Sequence, residues 1–366
     1  MKAAAVNRVE RGDNRLLSWE KPMEEKKRSY KVLIASYLEP EHVARIRQVD
    51  SRLQIIFEPD LLAKPSYLAD HYGVPSRTPA QEARWRELLS QADILFDFDY
   101  SHRPDLPELA PQLRWVQASS AGIGQFVKRY GYDTRLPDTI FTTSSGIHAR
   151  PLAEFCVMAM LMHYKQALPM LRNQHQHRWE RYAGTDLEGR TLAIVGLGHI
   201  GSQVAEMACS LGMSVIGTNA VTPGPCVERF FAPEQLHEML PLADVLVLSV
   251  PHTPQTEKMI GKVELGQLKP GAYLINIARG AVLDESALID ALRSGHLSGA
   301  ALDVFEHEPL PEDSPFWDMD NVLVNPHSGS TSDRENERLA DLFCDNLQRF
   351  VNGQPLRNVL RPHLYY

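Results

Sequence analysis

Short apolar runs and amphipathic stretches take turns along almost the whole chain. The runs 30–36 (YKVLIAS), 53–58 (LQIIFE), 92–98 (ADILFDF), 113–119 (LRWVQAS) and 139–144 (TIFTTS) read as buried strands. Helical patterns lie between them, one at about 40–49 and one at 80–91 (AQEARWRELLSQ). Strands that alternate with helices predict βαβ units and a parallel sheet, so 30–147 reads as one α/β body of about five strands.

The stretch 149–173 (ARPLAEFCVMAMLMHYKQALPMLRN) predicts one long helix, with Pro151 suited to its first turn. It holds more apolar surface than one face needs, which predicts a helix packed between two bodies. A second α/β unit begins at Thr191. TLAIV, SVIGT, VLVLSV, YLINI, AALDV and VLVN read as its strands. The helix after TLAIV carries Ile200, Val204, Ala208 and Leu211 on one face and is stopped by Gly212. Asp284 and Gly295 bracket another helix as N-cap and C-terminal stop. The segment 334–353 is a last helix, with Leu339, Leu342, Phe343, Leu347 and Phe350 as its stripe and Gly353 as its end. So little chain follows it that it has no body of its own to join. The simplest solution sends it back to the first body, which makes that body discontinuous.

Composition narrows the class. The chain has 366 residues, 43% hydrophobic and 23% charged, the profile of a globular protein with room for two domains. A net charge of −8 argues against a general nucleic-acid or membrane-surface binder, because both need a basic surface. No apolar run is long enough to span a bilayer. Cys156, Cys209, Cys226 and Cys344 form no CxxC pair, so they read as reduced cytosolic thiols and no metal site is expected. Residues 1–28 read as a loosely ordered extension, too acidic for a transit peptide.

The first chemical signal is VGLGHIG (195–201), in which Gly196, Gly198 and Gly201 fit G-x-G-x-x-G. Short glycine spacings are common, and context gives this one weight: it follows a buried strand and opens a helix. The first glycine allows the tight turn, the second lets a pyrophosphate approach the backbone, and the third lets helix and strand pack closely. The helix N-terminus then offers free N–H groups to the phosphates. After the second strand stands Asn219, able to bond a ribose hydroxyl without repelling a 2′-phosphate. No Arg or Lys lies from 219 to 227, so NAD and NADP both stay open.

Three further residues follow strands of the second unit: Arg279 after YLINIA, Glu308 after LDVFEH, and His327 after VLVNP. Alone, each reads as a surface or capped residue. Together they sit on the carboxyl edge of the sheet, where open α/β sheets bind ligands.

These segments carry a family likeness. LEGRTLAIVGLGHIGSQVAEMACSLGM, LKPGAYLINIARGAVLDESALIDAL and SGAALDVFEHEPLPEDSPFWDMDNVLVNPHSGS resemble the nucleotide, arginine and glutamate–histidine motifs of the D-isomer-specific 2-hydroxyacid dehydrogenases. The resemblance covers roughly 30–355 and is most specific over 187–330. It implies an α/β fold of two Rossmann-like or flavodoxin-like domains. A cofactor domain (149–330) is inserted into a discontinuous catalytic domain (29–148 and 331–366), with a cleft between them. It also implies hydride transfer between NAD(P)H and C2 of a small 2-oxo or D-2-hydroxy acid. Arg279 would bind the substrate carboxylate, His327 would act as general acid/base, and Glu308 would orient the imidazole and favour its charged form.

Further implied cofactor contacts are Gly196, Gly198, His199, Ile200, Gly201, Asn219, Pro251, Thr256, Ile277, Ala278, Arg279, Asp303, His327 and Gly329. Ser120, Ala121, Gly122 and Ile123 resemble the loop whose N–H groups hold the carboxylate, with Phe98, Tyr100 and Arg103 as a further wall. A homodimer formed through the cofactor domain is the usual family assembly. The chain departs from the pattern at Asn219, usually acidic, and at Ser328, commonly apolar. Two alternatives share the fold: a dinucleotide-sensing, corepressor-like binding module, and formate dehydrogenase. The family likeness leads one to expect Gln where this chain has Glu308 if it were the latter.

Overall fold

The computed structural model describes residues 28–218 and 226–361; Asn219 and nearly all of the N-terminal extension lie outside the described residues. Five short apolar strands, β1 (Tyr30–Ile34), β2 (Leu53–Ile56), β3 (Ile94–Phe96), β4 (Trp115–Gln117) and β5 (Ile140–Thr142), form one sheet in the order β2-β1-β3-β4-β5. All its pairings are parallel. Seven more strands form a second parallel sheet: β6 (Thr191–Val195), β7 (Ser214–Thr218), β8 (Arg229–Phe231), β9 (Val245–Leu248), β10 (Ala272–Asn276), β11 (Leu297–Leu302) and β12 (Val322–Val324). Their order is β12-β11-β10-β9-β6-β7-β8. The chain is thus built as two parallel-sheet α/β domains. The strand order reverses at one point in each sheet, β1/β3 in the first and β6/β9 in the second, and such points open a crevice at the carboxyl ends of the strands.

Burial explains why the strands read as unbroken apolar runs. β3, β4, β9 and β10 are buried at every position because helices cover both faces. Strand β8 has no such signal. It is an edge strand of three residues whose first position is exposed.

The long helix predicted at 149–173 is two helices, Ala149–Tyr164 and Ala167–His175. Gln166 between them has φ of +56°. Pro169 supplies the reason. Inside a continuous helix it would lack an N–H and crowd the preceding turn, whereas a restart after Gln166 places it in a first turn.

Helix Ala149–Tyr164 packs on the second sheet through Leu152, Phe155, Cys156, Ala159 and Met160. The last helix, Glu335–Val351, packs on the first sheet: Leu339, Phe343, Leu347 and Phe350 join Tyr30, Val32, Phe96 and Trp115 in one core. The chain therefore passes between the sheets twice. The two passages meet where the imidazole of His148 lies 3.1 Å from the Glu335 carboxylate.

Candidate active site

The phosphate turn occupies the β6/β9 crevice. Gly196 has φ of +106°, and a Cβ there would lie 2.8 Å from the Ser249 carbonyl carbon. A Cβ on Gly201 would collide with the Gly196 carbonyl oxygen, so the start of helix His199–Ser210 rests directly on the turn. Gly198 caps this helix and faces open space. Two glycines are thus required by neighbouring backbone and the third leaves its face clear. That is the cradle a pyrophosphate needs, and the chain fits a dinucleotide here. His199 and Ile200 open the helix. Thr256 donates its hydroxyl to the Pro251 carbonyl at 2.7 Å and closes the 251–256 loop on itself.

The end of β10 turns sharply after Ile277 and Ala278. Asn276 accepts from the Ala278 N–H at 3.0 Å and donates to the Arg279 carbonyl at 3.3 Å. One Arg279 nitrogen donates to the Ala278 carbonyl at 2.7 Å. Gly280 follows with no room for a side chain, because a Cβ would enter the Phe305–Glu306 backbone. The turn that carries Arg279 is thereby pressed against the segment that carries Glu308.

Glu308 is held at both oxygens. One accepts from the Phe305 N–H at 2.9 Å and the other lies 2.7 Å from Nδ1 of His327. Burial pushes this carboxyl up. The His327 hydrogen bond, the Phe305 N–H and the charges of His327 and Arg279 outweigh burial and leave it below its usual range. His327 itself has φ of +52°, a conformation that costs a non-glycine residue roughly 1–3 kcal/mol. The surroundings impose it. The buried carboxylate of Asp303 accepts from Asn325 Nδ2 at 2.5 Å and from the Gly329 N–H at 2.8 Å, so it grips the chain on both sides of the histidine. A Cβ at Gly329 would lie 2.9 Å from that carboxylate.

The first domain supplies the facing wall. Buried Asp97 accepts the Ser119 N–H at 3.2 Å and its hydroxyl at 2.9 Å, and Ser144 donates its N–H to the Ser120 carbonyl at 3.1 Å. These bonds fix the loop that holds Ser120, Ala121, Gly122 and Ile123. Gly122 meets the Arg279 guanidinium directly. Close by, Gln125 and His252 join the domains at 2.6 Å between Nε2 and Nδ1.

Arg279, Glu308, His327, Asp303, Gly329 and the Gly122 loop therefore meet in one cleft. Phe98 does not. It is 1% exposed and stacks on Tyr132 and Phe141 in the core of the first sheet, because its side chain points inward just past β3. Tyr72, Asp97, Gln125 and His252 belong to this region, and the sequence marks none of them. Tyr72 and Gln125 are lone residues of a loop and a short helix, and Asp97 resembles any strand-end acid.

The chain is similar to known proteins. A family model described as D-isomer specific 2-hydroxyacid dehydrogenase, NAD binding domain, matches residues 157–329. Glyoxylate/hydroxypyruvate reductase B of Yersinia pestis (strain Pestoides F) is 32% identical over 311 residues, 81% of this chain and 93% of the relative. Glyoxylate reductase of Korarchaeum cryptofilum is 32% identical over 261 residues, 68% of this chain and 76% of the relative. Among solved structures, a D-isomer specific 2-hydroxyacid dehydrogenase from Xanthobacter autotrophicus Py2, in complex with NADPH and MES, aligns with a TM-score of 0.74. That alignment has 28% identity and covers 92% of this chain and 100% of the other.

Proposed function

This chain belongs to the D-isomer specific 2-hydroxyacid dehydrogenase family and is an NAD(P)-dependent 2-hydroxyacid oxidoreductase, and from that premise we propose that Arg279, Glu308 and His327 act together on a small 2-oxo acid. The reading rests on one observation: a carboxylate-bound imidazole, His327 on Glu308 at 2.7 Å, shares a cleft with the Arg279 guanidinium and the Gly122 loop.

Each group has a task set by charge. The planar fork of Arg279 binds the substrate carboxylate and the adjacent carbonyl oxygen, and so polarises the C=O bond. N–H groups of 120–123 hold the carboxylate from the other side. When bound, NAD(P)H would supply the hydride that C2 receives. Protonated His327 gives its proton to the oxygen as negative charge develops there, and in the oxidative direction it takes that proton back. Glu308 accepts from the other ring nitrogen and keeps the ring aimed. Closure of the domains, held by Gln125 and His252, excludes water from the reacting atoms.

The cofactor contacts on this reading are the 196–201 turn, Asn219, Pro251, Thr256, Ile277 to Arg279, Asp303, His327 and Gly329. The cofactor on this reading is NAD or NADP. We also assign a homodimer formed through the cofactor domain. The exposed Met158, Leu161, Met170, Leu171, Trp179 and Tyr182 supply the apolar face that such an assembly would cover. The four free thiols fit a cytoplasmic enzyme.

The test follows nicotinamide absorbance with NADH or NADPH and a panel of 2-oxo acids. Wild-type protein is expected to consume reduced cofactor, and His327→Ala to turn over about 10²–10⁴-fold more slowly. Near-normal turnover by the variant would remove His327 from the chemistry. Tight cofactor binding with no substrate consumed would favour a binding module.

A further inference from the structure

The loop between β2 and helix Pro79–Gln91 lies against the segments that leave β1 and β3, where the strand order of the first sheet reverses: His71 bonds Ser36 at 2.9 Å and Tyr72 packs on Tyr100. Open α/β sheets bind ligands at such points. Tyr72 sits in this loop. It is 56% exposed, yet desolvation is the leading influence on its phenol, which is pushed up. Both hold for a side chain that lines a concave cleft. Its neighbours locate that cleft: the phenol lies beside the Ser120 side chain and within electrostatic reach of Arg279.

Tyr72 is not alone there. Its ring centroid is 5.3 Å from that of Tyr100, which packs on Phe126 at 6.0 Å. The Tyr100 phenol lies beside Ser119. The two phenols thus stand beside two consecutive serines of the carboxylate loop. On its other side Tyr100 lines a small pocket with Ser36, His71, Arg77 and Asp99.

We infer that Tyr72, with Tyr100 behind it, forms a specificity wall for the C3 substituent and selects 2-oxo acids carrying an aromatic or large apolar group over glyoxylate. The inference rests on the reading that Arg279 and the 120–123 loop hold the carboxylate. A ligand fixed there projects its third carbon toward the domain that supplies the loop. An aromatic substituent gains ring contact and loses water on this wall, whereas glyoxylate has nothing to place against it.

The test compares kcat/KM for phenylpyruvate and glyoxylate in the wild type, Tyr72→Phe and Tyr72→Ala. It adds equilibrium binding of phenylpyruvate to the cofactor-loaded His327→Ala protein. The wild type is expected to favour phenylpyruvate by about 10–200-fold, the usual worth of apolar pocket contacts. Tyr72→Phe should keep that ratio. Tyr72→Ala should cut it by about tenfold or more and weaken phenylpyruvate binding in parallel. Equal loss on both substrates, or a wild-type preference for glyoxylate, would overturn the wall. Either outcome would leave the assigned chemistry standing, because that chemistry fails only if no 2-oxo acid is turned over.

Discussion

Gly122 has no side chain because the Arg279 guanidinium occupies the space one would fill. The contact joins the two domains at the point where the substrate carboxylate is proposed to bind. Gly122→Ala should push the guanidinium aside and leave both sheets intact. We expect KM for the 2-oxo acid to rise by about tenfold or more, with a melting temperature within a few degrees of wild type. Steady-state kinetics beside a thermal melt reads both, and an unchanged KM would mean that the arginine relocates freely.

Glu308 tests the electrostatic half of the site. Its carboxyl titrates below the usual range, so it stays charged at neutral pH and protonates only as pH falls through that lowered value. Stability from the pairing is present above the ordinary carboxylate pKa and is lost below the folded one. Glu308→Gln keeps the shape and removes the charge. Its kcat should fall by more than about tenfold, but by no more than the 10²–10⁴-fold range for losing the imidazole. The change should also appear in the pH–rate profile. A profile and kcat identical to wild type would show that the charge has no role.

Asp303 braces the loop on either side of His327. Asp303→Ala leaves the Gly329 N–H and the Asn325 amide without their buried acceptor, a loss of about 1–3 kcal/mol. Relaxation of the strained histidine backbone should lower kcat as well. Chemical denaturation and turnover measured on one preparation check both. Stability loss with full activity would confine Asp303 to the fold.

A pH-dependent stability effect lies outside the cleft. His163 stacks on Tyr273 with ring centroids 4.1 Å apart and bonds Ser298 at 2.9 Å. Burial, then the charge of Arg190, lowers its pKa from 6.5 to about 4. Between those values the unfolded chain binds the proton and the folded one does not. Stability is therefore complete above about pH 6.5 and falls as pH drops toward 4, by on the order of 2–3 kcal/mol. His163→Gln should flatten this acid slope in melts taken from pH 7 to pH 4. An unchanged slope would assign it to other groups.

The strands were legible because both faces of each sheet are covered, which writes continuous apolar runs into the sequence. The caps Asp284 and Gly295 were legible for local reasons: one side chain accepts from Ala287, and one backbone takes φ of +73°. The break at Gln166 was hidden, since apolar residues continue through it and only Pro169 hints at a restart. Phe98 was misread as a cleft residue because sequence alone does not say which way a side chain points just past a strand. Arg279, Glu308 and His327 stood out as charges after apolar strands. Tyr72 did not, because a lone aromatic in an irregular loop has no periodicity to betray its neighbours.

His148 and Glu335 mark the only places among the described residues where the backbone crosses from one sheet to the other, and they touch. Two tethers anchored at a common point leave a rigid pair of lobes one easy motion, a swing about the line through that point. Opening at the far rim therefore requires no rearrangement inside either lobe.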